Sequence, residues 1–248
     1  MEMKNLGIVI STYQRPDGKT PELLTRTLNA INNQTHTNWK VYLIGDNYTD
    51  QKEFETLSKI IPQDKILAIN LPVAVERNRY PKGGWELWYS GGANATNIGI
   101  EFSINEDYHY VCHCDHDELW YENHLEEISK AIEKTNSLFL YTKGKYLGGV
   151  LPRNINSNDL YINKRAIAGD VIKSSCCINY FLIPLRRRDP NYFYKEHDAG
   201  DASFLKKVNQ ILDTLKSSSC LINKITMQND QEGYTKTLSP EDLKNINK

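Results

Sequence analysis

Residues 108–125 read YHYVCHCDHDELWYENHL. The stretch opens as an apolar, β-like segment, passes through three acids, Asp115, Asp117 and Glu118, and ends where a helix would start. In an open α/β sheet, ligands bind outside the carboxyl ends of the parallel strands. A strand that ends in carboxylates therefore marks the edge where chemistry is presented. Two carboxylates one residue apart can hold a hard divalent cation, and such a cation neutralises a diphosphate.

The residues upstream supply the sheet. Leu6–Ser11 (LGIVIS), Lys40–Ile44 (KVYLI) and Ile66–Ile69 are short continuous apolar runs, the pattern of strands buried on both faces. Between the first two, Thr20, Pro21 and Glu22 read as an N-cap, a first-turn proline and an acid suited to the helix dipole. Leu24, Leu28 and Ile31 then share one helix face. Asp50 caps a second helix bearing Phe54, Leu57 and Ile61, which Pro62 ends. Pro72–Gly92 carries Tyr80, Trp85, Trp88 and Tyr89 with no clear period and reads as a long loop. Ala93–Ile104 resumes a helical pattern, and Leu125, Ile128 and Ile132 mark the helix after the acidic strand. The order β-α-β-α-β-loop-α-β-α predicts a single Rossmann-like, doubly wound mixed α/β sheet.

The second half is less regular. Leu138–Lys145, Tyr146–Leu151, Ser174–Leu185 and Leu221–Met227 read as strands, Asn154–Asn163 as polar loop, and Gly200–Lys216 as an amphipathic helix. A short helix capped at Ser239-Pro240 is expected in the polar tail. With no repeat and no low-complexity linker, residues 1–248 are taken as one domain: 1–125 a nucleotide-sugar half, 126–230 an acceptor half, and 231–248 a tail.

Bulk properties exclude several classes. A net charge of −1 lacks the basic excess of a nucleic-acid binder. No apolar run approaches the roughly 20 residues that cross a bilayer, and MEMKNLGIVI lacks the layout of a signal peptide. Five cysteines, an odd number, fit a reducing cytoplasm better than a disulfide framework. Sequons occur at Asn33, Asn47 and Asn94, and two of them lie where a glycan would obstruct the proposed pocket.

Some motifs fail on inspection. Asp17-Gly18-Lys19-Thr20 ends like a phosphate-binding loop, but Tyr13 stands where that loop needs glycine. The dinucleotide glycine fingerprint is missing after the first strand. Cys112, His113, Cys114 and His116 cannot all converge on one zinc ion from an extended strand. His197 lies among acids and is expected to face solvent.

Taken as an ordered set, four segments resemble the family 2 glycosyltransferases and their relatives with the A-type fold: IVISTYQRP, VYLIGDNYTD, GGANATNIGI and YVCHCDHDELWYENHLEEI. The match covers about half the chain. It departs from the family at Thr96, where many members carry arginine, and in the length of the aromatic loop.

The resemblance implies that Asp117 binds Mn²⁺ or Mg²⁺, which bridges the diphosphate of a nucleotide-sugar donor, most commonly a UDP-sugar. Asp115 would contact the ribose or the water shell of the metal, and Asp46 the base. Thr12 and Tyr13 would line the base pocket, Arg15 would approach the diphosphate, and Asn97 would bind the donor or satisfy a loop carbonyl. Glu118 would support the metal or simply begin a helix. The resemblance also implies a general base heading the helix near Gly200, with Asp201 and Asp198 as candidates; either could equally be an N-cap. Arg186–Arg188 would meet phosphate or form a solvated loop, and Trp85 and Trp88 would stack on sugars or anchor their loop.

Sugar transfer to a glycan or other hydroxyl acceptor, with inversion, is the expected reaction. A lipid-linked acceptor, as for many relatives, would bring the protein to a membrane. A sugar nucleotidyltransferase shares the sheet but needs a glycine-rich loop after the first strand, and STYQRPDGKT has one glycine. A non-catalytic nucleotide-sugar-binding module of the same fold is the third reading.

Overall fold

The computed structural model describes residues 4–81, 87, 90–186 and 200–229, with Gly200 and Asp201 as backbone alone. Strand β1 (Leu6–Thr12) lies between β2 (Trp39–Asp46) and β4 (Tyr110–His113), and β2 also pairs with β3 (Ile66–Leu71), all in parallel. The continuous apolar runs arise because helices cover both faces. Ile8 and Ile10 point into a core shared with α1 (Thr20–Asn32), α2 (Gln51–Ser58) and α5 (His124–Thr135). Val9, Tyr42 and Val111 point the other way, toward α4 (Ala93–Asn105) and α6 (Gly200–Thr214).

Beyond β4 the sheet becomes mixed. β9 (Cys176–Asn179) runs antiparallel to both β4 and β6 (Phe139–Tyr146), and β6 pairs in parallel with β10 (Ser219–Gln228). Short strands β5 (Leu119–Trp120), β7 (Gly149–Leu151) and β8 (Tyr161–Asn163) pair with β10, β6 and β10 respectively. The order is β3-β2-β1-β4-β9-β6-β10-β5. This is the mixed, doubly wound sheet expected. All five cysteines are buried thiols. Among the described residues no helix is long and apolar enough to cross a membrane.

Several expectations are corrected. Thr20 is not the N-cap of α1, since Lys19 is. Its hydroxyl instead accepts from Arg15 N–H and donates to the Tyr13 carbonyl, both at 2.9 Å, which shapes the loop after β1. Asp50 does cap α2, accepting from Glu53 N–H at 3.0 Å. Within the loop 72–92 there is a five-residue helix, α3 (Val75–Arg79), too short to show a period. The polar stretch 154–163 ends in β8. Of Ser174–Leu185 only Cys176–Asn179 is strand. The chain then turns, Tyr180 and Ile183 being apolar because they pack in the core near α6 rather than along a ladder. The acidic stretch runs into β5 before its helix. The polar tail, with the cap expected at Ser239, lies outside the described residues.

Helix α4 sits close on β1 because residue 99 is glycine. A Cβ there would stand 2.7 Å from Val9 Cγ1. Gly99→Val should destabilise the protein by roughly 1–3 kcal/mol through overpacking, read as a lower urea midpoint at unchanged slope.

Candidate active site

The parallel register brings the ends of β1, β2 and β4 to one edge. Thr12 lies opposite Gly45, one residue before Asp46, and Cys114 N–H extends the β1–β4 ladder by donating to the Val9 carbonyl at 3.1 Å. The acidic turn begins there, closed by Glu118 N–H donating to the Asp115 carbonyl at 3.1 Å. Helix α1 holds its backbone. Arg26 Nη2 donates to the Asp117 carbonyl at 2.6 Å, and Thr27 Oγ1 lies 3.0 and 2.8 Å from the carbonyls of His116 and Glu118. From the far side, Asp115 N–H donates to Ser174 Oγ at 2.8 Å and Trp120 Nε1–H to the Ser174 carbonyl at 2.8 Å.

With the main chain pinned, the three acids are left to find partners for their side chains. Asp117 Oδ2 lies 3.3 Å from Arg15 Nη1, and the same guanidinium holds Asp17 through two further bonds. Lys173 Nζ donates to Asp115 Oδ1. Glu118 is buried and accepts from Asn229 Nδ2 at 2.5 Å. Burial, reinforced by the charge of Asp115, pushes its carboxyl up to about 8, which favours the protonated form.

The residues near the base position form a second cluster. Asp46 is buried, and its Oδ2 lies 2.9 Å from Arg77 Nη1. Burial raises its carboxyl above the usual range, and Arg77 opposes that rise. The guanidinium of Arg77 also donates to the Asp46 carbonyl and lies 4.7 Å over the Tyr13 ring. Tyr13 also meets His116 in a T-shaped arrangement, ring centroids 5.5 Å apart. Thr12 Oγ1 is 2.7 Å from Tyr48 Oη, and Gln14 Oε1 accepts from Thr49 and Asp50, tying the first loop to the second. Helix α4 starts beside them. Glu76 Oε1 accepts from Asn94 N–H at 2.6 Å, Thr96 Oγ1 donates to Ser11 at 3.2 Å, and Asn97 lies just past the first turn.

The structure thus brings Thr12, Tyr13, Arg15, Asp46, Asp115 and Asp117 to one edge. Asp201 falls in the first turn of α6, its side chain outside the described residues, as are Asp198, His197, Trp85, Trp88, Arg187 and Arg188. Arg186 pairs with Glu101 at 3.3 Å. Arg77, Lys173, Ser174 and the pair Arg26–Thr27 were not singled out from sequence. Each reaches the site from a distant segment, and no local spacing encodes that.

Asp115 and Asp117 are oxygen donors of the kind that suit a hard cation. Among the described residues no group of three or more His, Cys, Asp or Glu gathers as a metal site. The neighbours divide between faces: Cys112 and Cys114 enter one core, and His113 turns to the other, 2.7 Å from Tyr180 Oη. A cation here would take one or two carboxylates from the chain and its remaining ligands from phosphate and water, the usual habit of Mg²⁺. The residues fit on those terms.

Glu118 also has a pH signature. An unfolded carboxyl gives up its proton near 4.5, whereas the folded one keeps it to about 8. Between those values the native state binds more protons, so stability should fall as pH rises through that window. Urea titrations from pH 5 to 9 should record this fall in the wild type and its loss in Glu118→Gln.

Comparisons with known proteins agree with the geometry, although no protein-family profile matches the chain. An uncharacterized glycosyltransferase of Acanthamoeba polyphaga mimivirus is 31% identical over 237 residues, 92% of this chain and 95% of the relative. A UDP-Glc:α-D-GlcNAc-diphosphoundecaprenol β-1,3-glucosyltransferase of Escherichia coli, WfgD, is 21% identical over 72% of this chain and 66% of its own length. Among solved structures, residues 1–349 of S. aureus TarS align with a TM-score of 0.62 and 14% identity, covering 98% of this chain and 63% of that one. A UDP-GlcNAc complex of the same TarS segment aligns at 0.59. The chain belongs to the glycosyltransferases and has their A-type fold.

Proposed function

We propose that the chain transfers a sugar from a nucleotide-diphosphate donor, most simply a UDP-sugar, to a hydroxyl of a glycan acceptor, with a divalent cation bound at the acidic turn. The observation that carries this reading is the convergence of Asp46, Tyr13, Arg15, Asp115 and Asp117 on one edge of the sheet, within a chain of this family. The UDP and UDP-GlcNAc complexes of TarS and the UDP-Glc named for WfgD support the choice of donor.

In this reading Asp46 receives an N–H of the base at a carboxylate that is buried and paired with Arg77. Tyr13 offers the stacking face, with Thr12 fixed behind it by Tyr48. Arg15 sits against Asp117 and Asp17, where it meets the diphosphate as well as the acids. Asp117 and Asp115 hold Mn²⁺ or Mg²⁺. The cation, when bound, takes up charge on the departing diphosphate.

Asp201 at the head of α6 is our candidate base for the acceptor hydroxyl, with Asp198 as its rival, and in-line attack would invert the anomeric centre. The acceptor faces the half of the sheet built on β6, β9 and β10. A lipid-linked diphosphosugar of the kind named for WfgD is one acceptor class to include in assays.

Asp117→Asn should lower donor turnover by roughly 10²-fold or more and abolish the extra thermal stabilisation that UDP gains from Mn²⁺, an effect that requires binding to the native state. A variant that turns over and shifts its melting temperature like the wild type would remove Asp117 from the site.

A further inference from the structure

Lys173 comes from the acceptor half, yet its ammonium rests on Asp115. The short 3-10 turn that carries it (Lys173–Ser175) is anchored by its neighbour: Ser174 receives Asp115 N–H through Oγ and Trp120 Nε1–H through its carbonyl. The docking of the turn therefore does not depend on the lysine. The ion pair is also accessible, the side chains of Lys173 and Asp115 being 20% and 32% exposed. Arg15, which covers the other carboxylate, is 7% exposed and clamped to Asp17 by two bonds. One cation is locked in place. The other hangs on a flexible four-carbon stem with three rotatable donors.

We propose that Lys173 is an exchangeable counter-ion of the donor site. With no divalent cation bound it neutralises Asp115. When the cation takes that carboxylate, the ammonium is repelled and turns to a non-bridging oxygen of the diphosphate. The inference rests on the cation-and-diphosphate reading above and adds a residue to it. Its physical content is a change of sign: the lysine competes with the metal for Asp115, yet assists the anion that follows. A residue that merely supports the fold would weaken both ligands together. Coupling of this kind alters each equilibrium by a definite factor, commonly between 5- and 150-fold.

Two affinities test it in the intact chain. Binding of Mn²⁺ alone is followed by the paramagnetic resonance of the free ion, and binding of UDP at saturating Mn²⁺ by calorimetry. Lys173→Met, which keeps the stem and removes the charge, should bind Mn²⁺ alone roughly tenfold tighter and UDP roughly tenfold weaker. Lys173→Gln, measured in parallel, controls for methionine packing, and Lys173→Arg should stay near wild type on both. Two affinities that fall together, or that both hold steady, in variants with native circular dichroism would overturn the proposal. If wild-type UDP binding ignores Mn²⁺, the cation itself is lost from the site and the lysine's exchange with it. If the wild type needs Mn²⁺ and Lys173→Met matches it, the role of Lys173 alone falls.

Discussion

Three carboxylates within four residues must coexist on one tight turn, and much of the site is a response to that crowding. Like charges this close are costly unless neutralised. Each acid is accommodated differently: Asp117 by the guanidinium of Arg15, Asp115 by the ammonium of Lys173, and Glu118 by burial that raises its carboxyl and favours its protonated form. The backbone could not hold this turn unaided. Arg26 and Thr27 from α1 take its carbonyls on one side, and Ser174 receives its N–H on the other. A turn gripped by its main chain holds its shape without relying on its side chains, which is the division of labour that a binding site needs.

The same economy recurs at the end of β2. Asp46 is buried against Arg77, and Glu76, one residue earlier on α3, is buried at the start of α4, where its carboxylate meets Asn94 N–H. An acid at a helix N-terminus is favoured by the dipole as well as by the bond itself. The short helix α3 thus sets a cation beside Asp46 and an anion at the first turn of α4, which ties residues 75–79 to the sheet edge despite their lack of apolar pattern.

The sheet and its helices were legible because covering both faces demands apolar strands and one-sided helices, and these leave periodic traces. Leu24, Leu28 and Ile31 mark α1, and Leu125, Ile128 and Ile132 mark α5; all six are buried. The acids at the tip of β4 were legible because charge at the end of an apolar strand is locally conspicuous. The partners of those acids were not. Lys173 lies 58 positions from Asp115, and Arg26 lies 91 from Asp117. Nothing in the spacing of either segment records the meeting. The stretch from Ser174 to Leu185 misled for a related reason: Tyr180 and Ile183 are apolar to fill the core near α6, and composition alone cannot tell a packed turn from a strand.

Strand β9 gives the architecture a property of another kind. It is drawn from residues 176–179 but is inserted beside β4, between the two parts of the sheet. A fragment ending near Leu125 would strip β4 of that neighbour and bare an unprotected ladder edge, an invitation to aggregate. The two halves are therefore not interchangeable cassettes. Residues 173–179, from the second half of the chain, complete the sheet and the acidic turn of the first half from across the fold.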